Sequence, residues 1–347
     1  MTICYINFMN QKDKILKFLK RNKSVSGREL SEFLSISRQA LNKHLKVLIQ
    51  KGLVVKDGKT RGAAYSLAGK TKPVKRFRKK YVLKGLEEHK AFNDVALHLN
   101  FRKNLRDNVF HIVNYVFSEI LNNAIEHSRS KNCGIEIVLD QYNCAFTIRD
   151  YGIGIFYSIY TKFDLSDETS AIGELIKGKT TTMREKHSGE GVFFSSKSGD
   201  TVTFRSHKIN LTFDNIKKDV FVEEKRHING TEVKFSISRV SKRNLESTFK
   251  LYAPEEYDYR FEKTKVYVNL FQTEFVSRSE AKRLLLGLEK FKEIILDFKG
   301  VKSIGQGFAD EIFRVFKKQH PDIIIKTKNL NHIIESIIKH VVDNKIN

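Results

Sequence analysis

Phe117-Ser-Glu-Ile-Leu-Asn-Asn-Ala-Ile-Glu-His-Ser128 decides how this chain is read, because its apolar residues recur at helical spacing while its acids and amides collect on another face. Glu119, Asn123 and Glu126 stand at i, i+4 and i+7, one side of a helix expected from about Asp107 to Ser128. Downstream lie two glycine-rich turns, Asp150-Tyr-Gly-Ile-Gly154 and His187-Ser-Gly-Glu-Gly191. Ile135–Leu139 and Ala145–Arg149 alternate apolar and polar residues and predict paired strands, the second delivering Asp150 to a sheet edge. Thr201–Ser206, Leu211–Phe213, Val220–Val222 and Glu232–Ile237 predict further strands, so that helices would layer on a mixed sheet. A helix is expected between Tyr81 and about Asn108, although its apolar positions are irregular.

The chemistry of these turns suits a nucleotide. A carboxylate can accept from an exocyclic amine, and glycines let backbone amides approach phosphates without a Cβ in the way. The helix, the Asp150 turn, the Gly189–Gly191 turn and Gly230-Thr231 at the start of a late strand occur in order. Together they resemble the N, G1 and G2 boxes and the Gly-Thr pair of the GHKL ATPase superfamily, over roughly residues 85–240.

The resemblance implies ATP and Mg²⁺ as cofactors. It implies that Asp150 reads adenine, Gly152 and Gly154 shape the floor, Thr231 holds a water beside Asp150, and Gly189 and Gly191 present amides to phosphates. Asn123 would offer its amide oxygen to Mg²⁺, a hard cation that prefers oxygen ligands, and Glu119 would be the general base. Lys177-Gly-Lys-Thr-Thr-Thr182 has the composition of an ATP lid, with Lys179 and Thr180 toward the phosphates. The helix residues Glu119 to His127 are most similar to anti-sigma-factor serine kinases. Histidine kinases need a phosphoacceptor helix, usually with an acidic residue immediately after the histidine, whereas His89, His98 and His111 are followed by Lys90, Leu99 and Ile112.

At 347 residues the chain has room for two or three domains, and 40% hydrophobic with 30% charged residues describes a soluble globular protein. No apolar run approaches the ~18 residues of a membrane span, and the first residues lack a basic leader, so the cytoplasm is expected and no membrane partner. Cys4, Cys133 and Cys144 have no ligand spacing and fit isolated core residues.

The net charge of +23 is concentrated: residues 1–80 hold 21 Lys and Arg against 4 Asp and Glu, an excess of 17. Such asymmetry points to a polyanion-binding module, here double-stranded DNA. Ile15, Leu16 and Leu19 mark one amphipathic helix, Ser26-Gly-Arg-Glu29 is a capping box opening a second, and Ser37 caps a third whose buried stripe is Leu41, Leu45 and Leu48. Arg38, Gln39, Asn42, Lys43 and Lys46 point away from that stripe and suit base edges and phosphates. Leu53–Val55 and Ala63–Leu67 predict a hairpin, with Lys59 and Arg61 at its basic tip. Residues 1–72 thus resemble a winged helix-turn-helix domain, followed by a basic linker over 73–84.

Residues 260–347 alternate strands at Val266–Leu270, Glu293–Leu296 and Asp322–Ile325 with helices at Ser277–Phe291, Gly305–Lys318 and Asn331–Val342. The run from Leu296 to Ile312 resembles STAS-like domains, some of which carry a phosphorylated hydroxyl just before the glycine. Here Ile304 holds that place and Ser303 lies one residue early, so phosphorylation is not expected. The fold class expected is multidomain α/β (α+β): winged helix, GHKL sandwich, STAS-like domain. The function expected is a bacterial DNA-binding regulator switched by Mg-ATP, with a serine/threonine protein kinase of partner-switching type or a slow ATPase as alternative. Its partners would be DNA, a regulatory protein or sigma-type factor, and a second copy of the chain.

Overall fold

The computed structural model describes residues 11–22, 24–51, 53–58, 63–68, 74–140, 142–165, 167–179, 190–270 and 274–343. The chain divides into two compact units, residues 1–75 with 139–143 and residues 76–138 with 144–347.

In the first unit α1 (Gln11–Arg21), β1 (Val25–Ser26), α2 (Gly27–Leu34) and α3 (Arg38–Gln50) precede β2 (Val54–Asp57) and β3 (Ala64–Leu67). The capping box forms as expected, with the Ser26 hydroxyl accepting from Glu29 N–H and the Glu29 carboxylate accepting from Ser26 N–H. Ser35 takes a left-handed conformation that ends α2, and Ser37 accepts from Ala40 N–H to start α3. Leu41, Leu45 and Leu48 join Ile15, Leu19, Leu30 and Val54 in one small core. β2 and β3 pair antiparallel, with β3 central in the order β1-β3-β2.

The second unit begins with β4 (Lys75–Val82), the edge of a five-stranded sheet ordered β4-β5-β6-β8-β7. The residues expected as a basic linker are therefore largely a strand. Its alternation buries Phe77 and exposes Arg76 and Arg78, and the lysines and arginines suit an edge that must not pair with another chain. The helix expected from Tyr81 is shorter and broken: α4 (Glu88–His98) and α5 (Phe101–Asn104) are separated by Asn100 in the left-handed region.

α6 (Asp107–His127) then buries Val109, Phe110, Ile112, Val113, Val116, Phe117, Ile120, Leu121 and Ala124. β5 (Asn132–Leu139) and β6 (Asn143–Asp150) are joined by a short turn, as are β7 (Thr201–Asp214) and β8 (Asp219–Ser238). Strands so joined run antiparallel, and Phe146 against Phe235 with Arg149 beside Glu232 sets β6 and β8 antiparallel too, so the expected helix layer is present but its sheet is antiparallel through β5-β6-β8-β7 rather than mixed. The four segments expected between 201 and 237 are halves of β7 and β8, kept continuous by a bulge at His207. Between β6 and β7 lie α7 (Ile155–Lys162), α8 (Ser170–Lys177) and α9 (Gly191–Ser198).

α10 (Leu245–Tyr252) leads into β9 (Lys263–Tyr267), β10 (Glu274–Phe275), α11 (Arg278–Leu285), β11 (Glu293–Asp297), β12 (Ser303–Ile304), α12 (Gln306–Asp310), a π-helical stretch (Glu311–Phe316), α13 (Lys317–Gln319), β13 (Ile324–Lys328) and α14 (His332–Asp343). β11 is central and parallel to both β9 and β13, which requires the helical crossovers between them. Its core includes Leu284, Leu285, Ile294, Leu296, Phe308 and Ile334, and extends without a break to Phe193 and Phe194 of α9.

Candidate functional site

Nine buried apolar side chains fix the rotation of α6, so its remaining face is held open toward the turn that follows β6 and the start of α9. The result is a cavity of about 560 Å³, within the usual range for a small-molecule site. Glu119, Asn123, Asp150, Gly154, Gly191 and Thr231 all line it, although they come from segments far apart in sequence.

Asp150 ends β6 at 5% exposure. Burial raises its pKa above the ordinary carboxylate value, and hydrogen bonds from Gly152 and Thr231 pull the other way. Gly152 N–H donates to Asp150 Oδ1 at 2.9 Å and Thr231 N–H donates to the same oxygen at 3.2 Å. The Thr231 hydroxyl accepts from Ile155 N–H at 2.9 Å, joining β8 to the first turn of α7.

Two glycines are required by close approach. A Cβ on Gly152 would stand 1.7 Å from the Ser128 carbonyl oxygen, and one on Gly191 would stand 1.8 Å from Glu119 Oε2. Gly152 therefore supports the Asp150 turn from beneath, and Gly191 brings the start of α9 against the Glu119 carboxylate.

Lys179 is not in this cavity. Its ammonium donates to the Lys290 carbonyl at 2.8 Å, pairs with Glu262 at 3.1 Å and lies over the Phe291 ring. The basic, hydroxyl-rich composition of its neighbourhood did not reveal that these partners, more than eighty residues on in sequence, would capture it. Thr180 and Gly189 lie outside the described residues, as do Lys59 and Arg61 at the hairpin tip.

Several lining residues were assigned no role from the sequence: Tyr115, Glu126, His127, Glu190, Phe194, Phe249 and Tyr259. Tyr115 stands one helical turn before Glu119, a spacing that could have found it. Its pKa is raised by burial and then by Glu119 and Glu190. Phe249 and Tyr259 belong to the stretch between the two expected domains and carried no local signal.

The residues fit a nucleotide that brings a cation with it. Among the described residues the lining has four carboxyl groups, Glu119, Glu126, Asp150 and Glu190, and neither lysine nor arginine, so a bare polyanion would be repelled. No group of three or more His, Cys, Asp or Glu among the described residues is disposed to hold a metal alone. Asn123 would supply an amide oxygen, and phosphates the remaining ligands.

On α3, Arg38, Gln39, Asn42, Lys43 and Lys46 are all exposed, on the face opposite Leu41, Leu45 and Leu48. Residues 9–55 match the family described as winged helix-turn-helix DNA-binding. Residues 280–335 match a STAS-like domain of unknown function. No curated protein matches the chain. The chain thus joins a winged helix-turn-helix module to a mixed α/β unit that ends in a STAS-like domain, the composition of a DNA-binding regulator. Among the described residues no helix is long and apolar enough to cross a membrane.

Proposed function

We infer that this protein is a DNA-binding transcriptional regulator whose central segment, residues 85–240, is a GHKL-type ATP-binding domain, and that Mg-ATP occupancy switches its binding to DNA or to a protein partner. The convergence of Glu119, Asn123, Asp150, Gly191 and Thr231 on one cavity carries this reading. Asp150, held by Gly152 and Thr231, accepts from an adenine amine. Asn123 gives its oxygen to Mg²⁺, and the α9 terminus at Gly191 turns amide N–H groups toward phosphates. Bound Mg²⁺ supplies charge neutralisation between phosphate oxygens.

The runner-up is a serine/threonine protein kinase of partner-switching type, or a slow ATPase, and the position of Glu119 against Gly191 favours it specifically. In that reading Glu119 accepts the proton of the attacking water or hydroxyl.

The test is calorimetry with a nonhydrolysable ATP analogue and Mg²⁺, followed by anisotropy of labelled duplex DNA with and without the analogue. Saturable, Mg²⁺-dependent heat together with a changed DNA affinity supports the switch. Heat without a change in DNA affinity, together with turnover or transfer of phosphate, moves the assignment to the enzyme.

A further inference from the structure

The cavity is longer than the constellation just described. Its α6 wall runs from Tyr115 to Ser128, thirteen residue steps or roughly 20 Å of helix, with Asp150 and Gly152 at the Ser128 end. Glu119 and Gly191 stand about one turn short of the other end. That far end is aromatic and is not made by the sheet domain alone. Phe249 and Ala253, at the end of α10, and Tyr259 beyond it close the cavity opposite Tyr115, with the Phe249 and Tyr115 rings edge to face at 5.5 Å.

The same aromatic residues lead into the C-terminal core. Phe249 packs on Phe194 at 4.6 Å, Phe194 on Phe261 at 5.1 Å, and Phe261 on Phe291 immediately before β11. Polar bonds fix this joint from the other side. The Thr264 hydroxyl donates to the Lys177 carbonyl at 2.6 Å, and the buried Lys177 ammonium donates to the Leu286 carbonyl at 2.6 Å while paired with Glu174. The end of α8 and the start of α9 are therefore both attached to the STAS-like domain.

We propose that Phe249 and Tyr259 are ligand-contacting residues that complete the nucleotide site at its phosphate end, and that through them the STAS-like domain registers whether the site is filled. The inference rests on the nucleotide reading above. Tyr259 is 60% exposed, with a left-handed backbone at φ 56°, and lines the cavity where its ring can meet a ligand entering from solvent. Phe249, by contrast, is packed on both sides, so displacement on its cavity face is transmitted to Phe194 and Phe261. Close-packed interiors pass such strain on because they have few voids in which to absorb it.

The experiment uses the full chain, the nonhydrolysable analogue with Mg²⁺, calorimetry and amide hydrogen exchange. Analogue binding is expected to slow exchange at least threefold in β9 and β11. Tyr259→Ala and Phe249→Leu, which keeps an apolar side chain but removes the ring, are expected to weaken analogue binding about five- to tenfold, the scale of one aromatic contact, and to reduce that protection. If the analogue gives no heat with the wild-type chain, the nucleotide reading falls and this inference falls with it. If the analogue binds wild type and both variants equally, and exchange over residues 263–343 does not change, this inference alone is overturned.

Discussion

Asp150 and Thr231 hold each other across adjacent strands: Thr231 N–H donates to Asp150 Oδ1 at 3.2 Å while the Thr231 hydroxyl accepts from Ile155 N–H. The carboxylate is kept in place by these contacts against an unfavourable burial, which raises its pKa. A group with a raised folded-state pKa adds stability below its unfolded pKa and loses it as pH rises through the folded one. Once ionised, Asp150 is therefore a burden on the fold. Asp150→Asn keeps an oxygen for both N–H donors, so Tm at pH 7 should stay level or rise while analogue affinity falls at least tenfold. A lower Tm with unchanged affinity, read by calorimetry, assigns Asp150 a structural role instead.

The two close-approach glycines should respond differently to a methyl group. Gly152→Ala meets the Ser128 backbone carbonyl, which cannot swing aside, and should cost about 3 kcal/mol or more in urea unfolding. Gly191→Ala meets the far end of the Glu119 side chain, which can rotate. That variant should fold with nearly wild-type stability but bind the analogue poorly. Equal destabilisation by both would show that the start of α9 is held more rigidly than its contacts indicate.

Lys197, on α9, is buried with its ammonium among the rings of Phe193, Phe213 and Tyr267 and, among the described residues, without a hydrogen-bond partner. Burial lowers its pKa to about 7, with nearby Lys265 adding to the effect. A lysine with a depressed folded-state pKa contributes least stability below that value and gains it as pH rises toward the unfolded value near 10.5. Lys197→Met should therefore stabilise the protein at pH 6.5, by roughly 1–4 kcal/mol, and the gain should shrink toward pH 10. A gain independent of pH would mean that the rings already compensate the charge.

How much of this was legible in the sequence differed by element. The α6 face was legible because Glu119, Asn123 and Glu126 repeat within one helix, and the caps at Ser26 and Ser37 because their partners lie three residues away. β4 was hidden by composition: six basic residues in nine mask an alternation with Phe77 as its clearest apolar member. Lys179 and Phe249 could not be read at all. What places them is contact with Lys290 and with Tyr115, and no local pattern encodes a contact across more than a hundred residues.

For DNA, the exposed face of α3 makes two classes of side chain separable. Arg38→Ala and Asn42→Ala should flatten sequence preference by about 1–3 kcal/mol at the positions they read, whereas Lys43→Ala and Lys46→Ala should weaken all duplexes alike and reduce the salt dependence of binding. Anisotropy titrations over a series of salt concentrations would check this. A wild-type affinity independent of salt is incompatible with counterion release and would remove α3 as the DNA-facing helix.

The last prediction concerns Ser303, the hydroxyl nearest to the acceptor position of phosphorylated STAS-like domains. Ser303 is in β12, half-buried and paired in parallel with Glu274 of β10, and Ile304 beside it is buried against Phe275. Gly305 N–H donates to the Phe275 carbonyl at 2.6 Å, and a Cβ at Gly305 would stand 2.6 Å from the Val276 carbonyl oxygen. The approach to the start of α12 is thus covered by β10 and Val276, and a phosphate on Ser303 would be added to a paired strand rather than an open helix terminus. Prolonged incubation of the full chain with ATP and Mg²⁺ should leave residues 274–343 unphosphorylated by mass spectrometry, and Ser303→Ala should bind the analogue like wild type. Stoichiometric phosphate on Ser303 would require β10 to open, and it would favour the kinase reading over the switch.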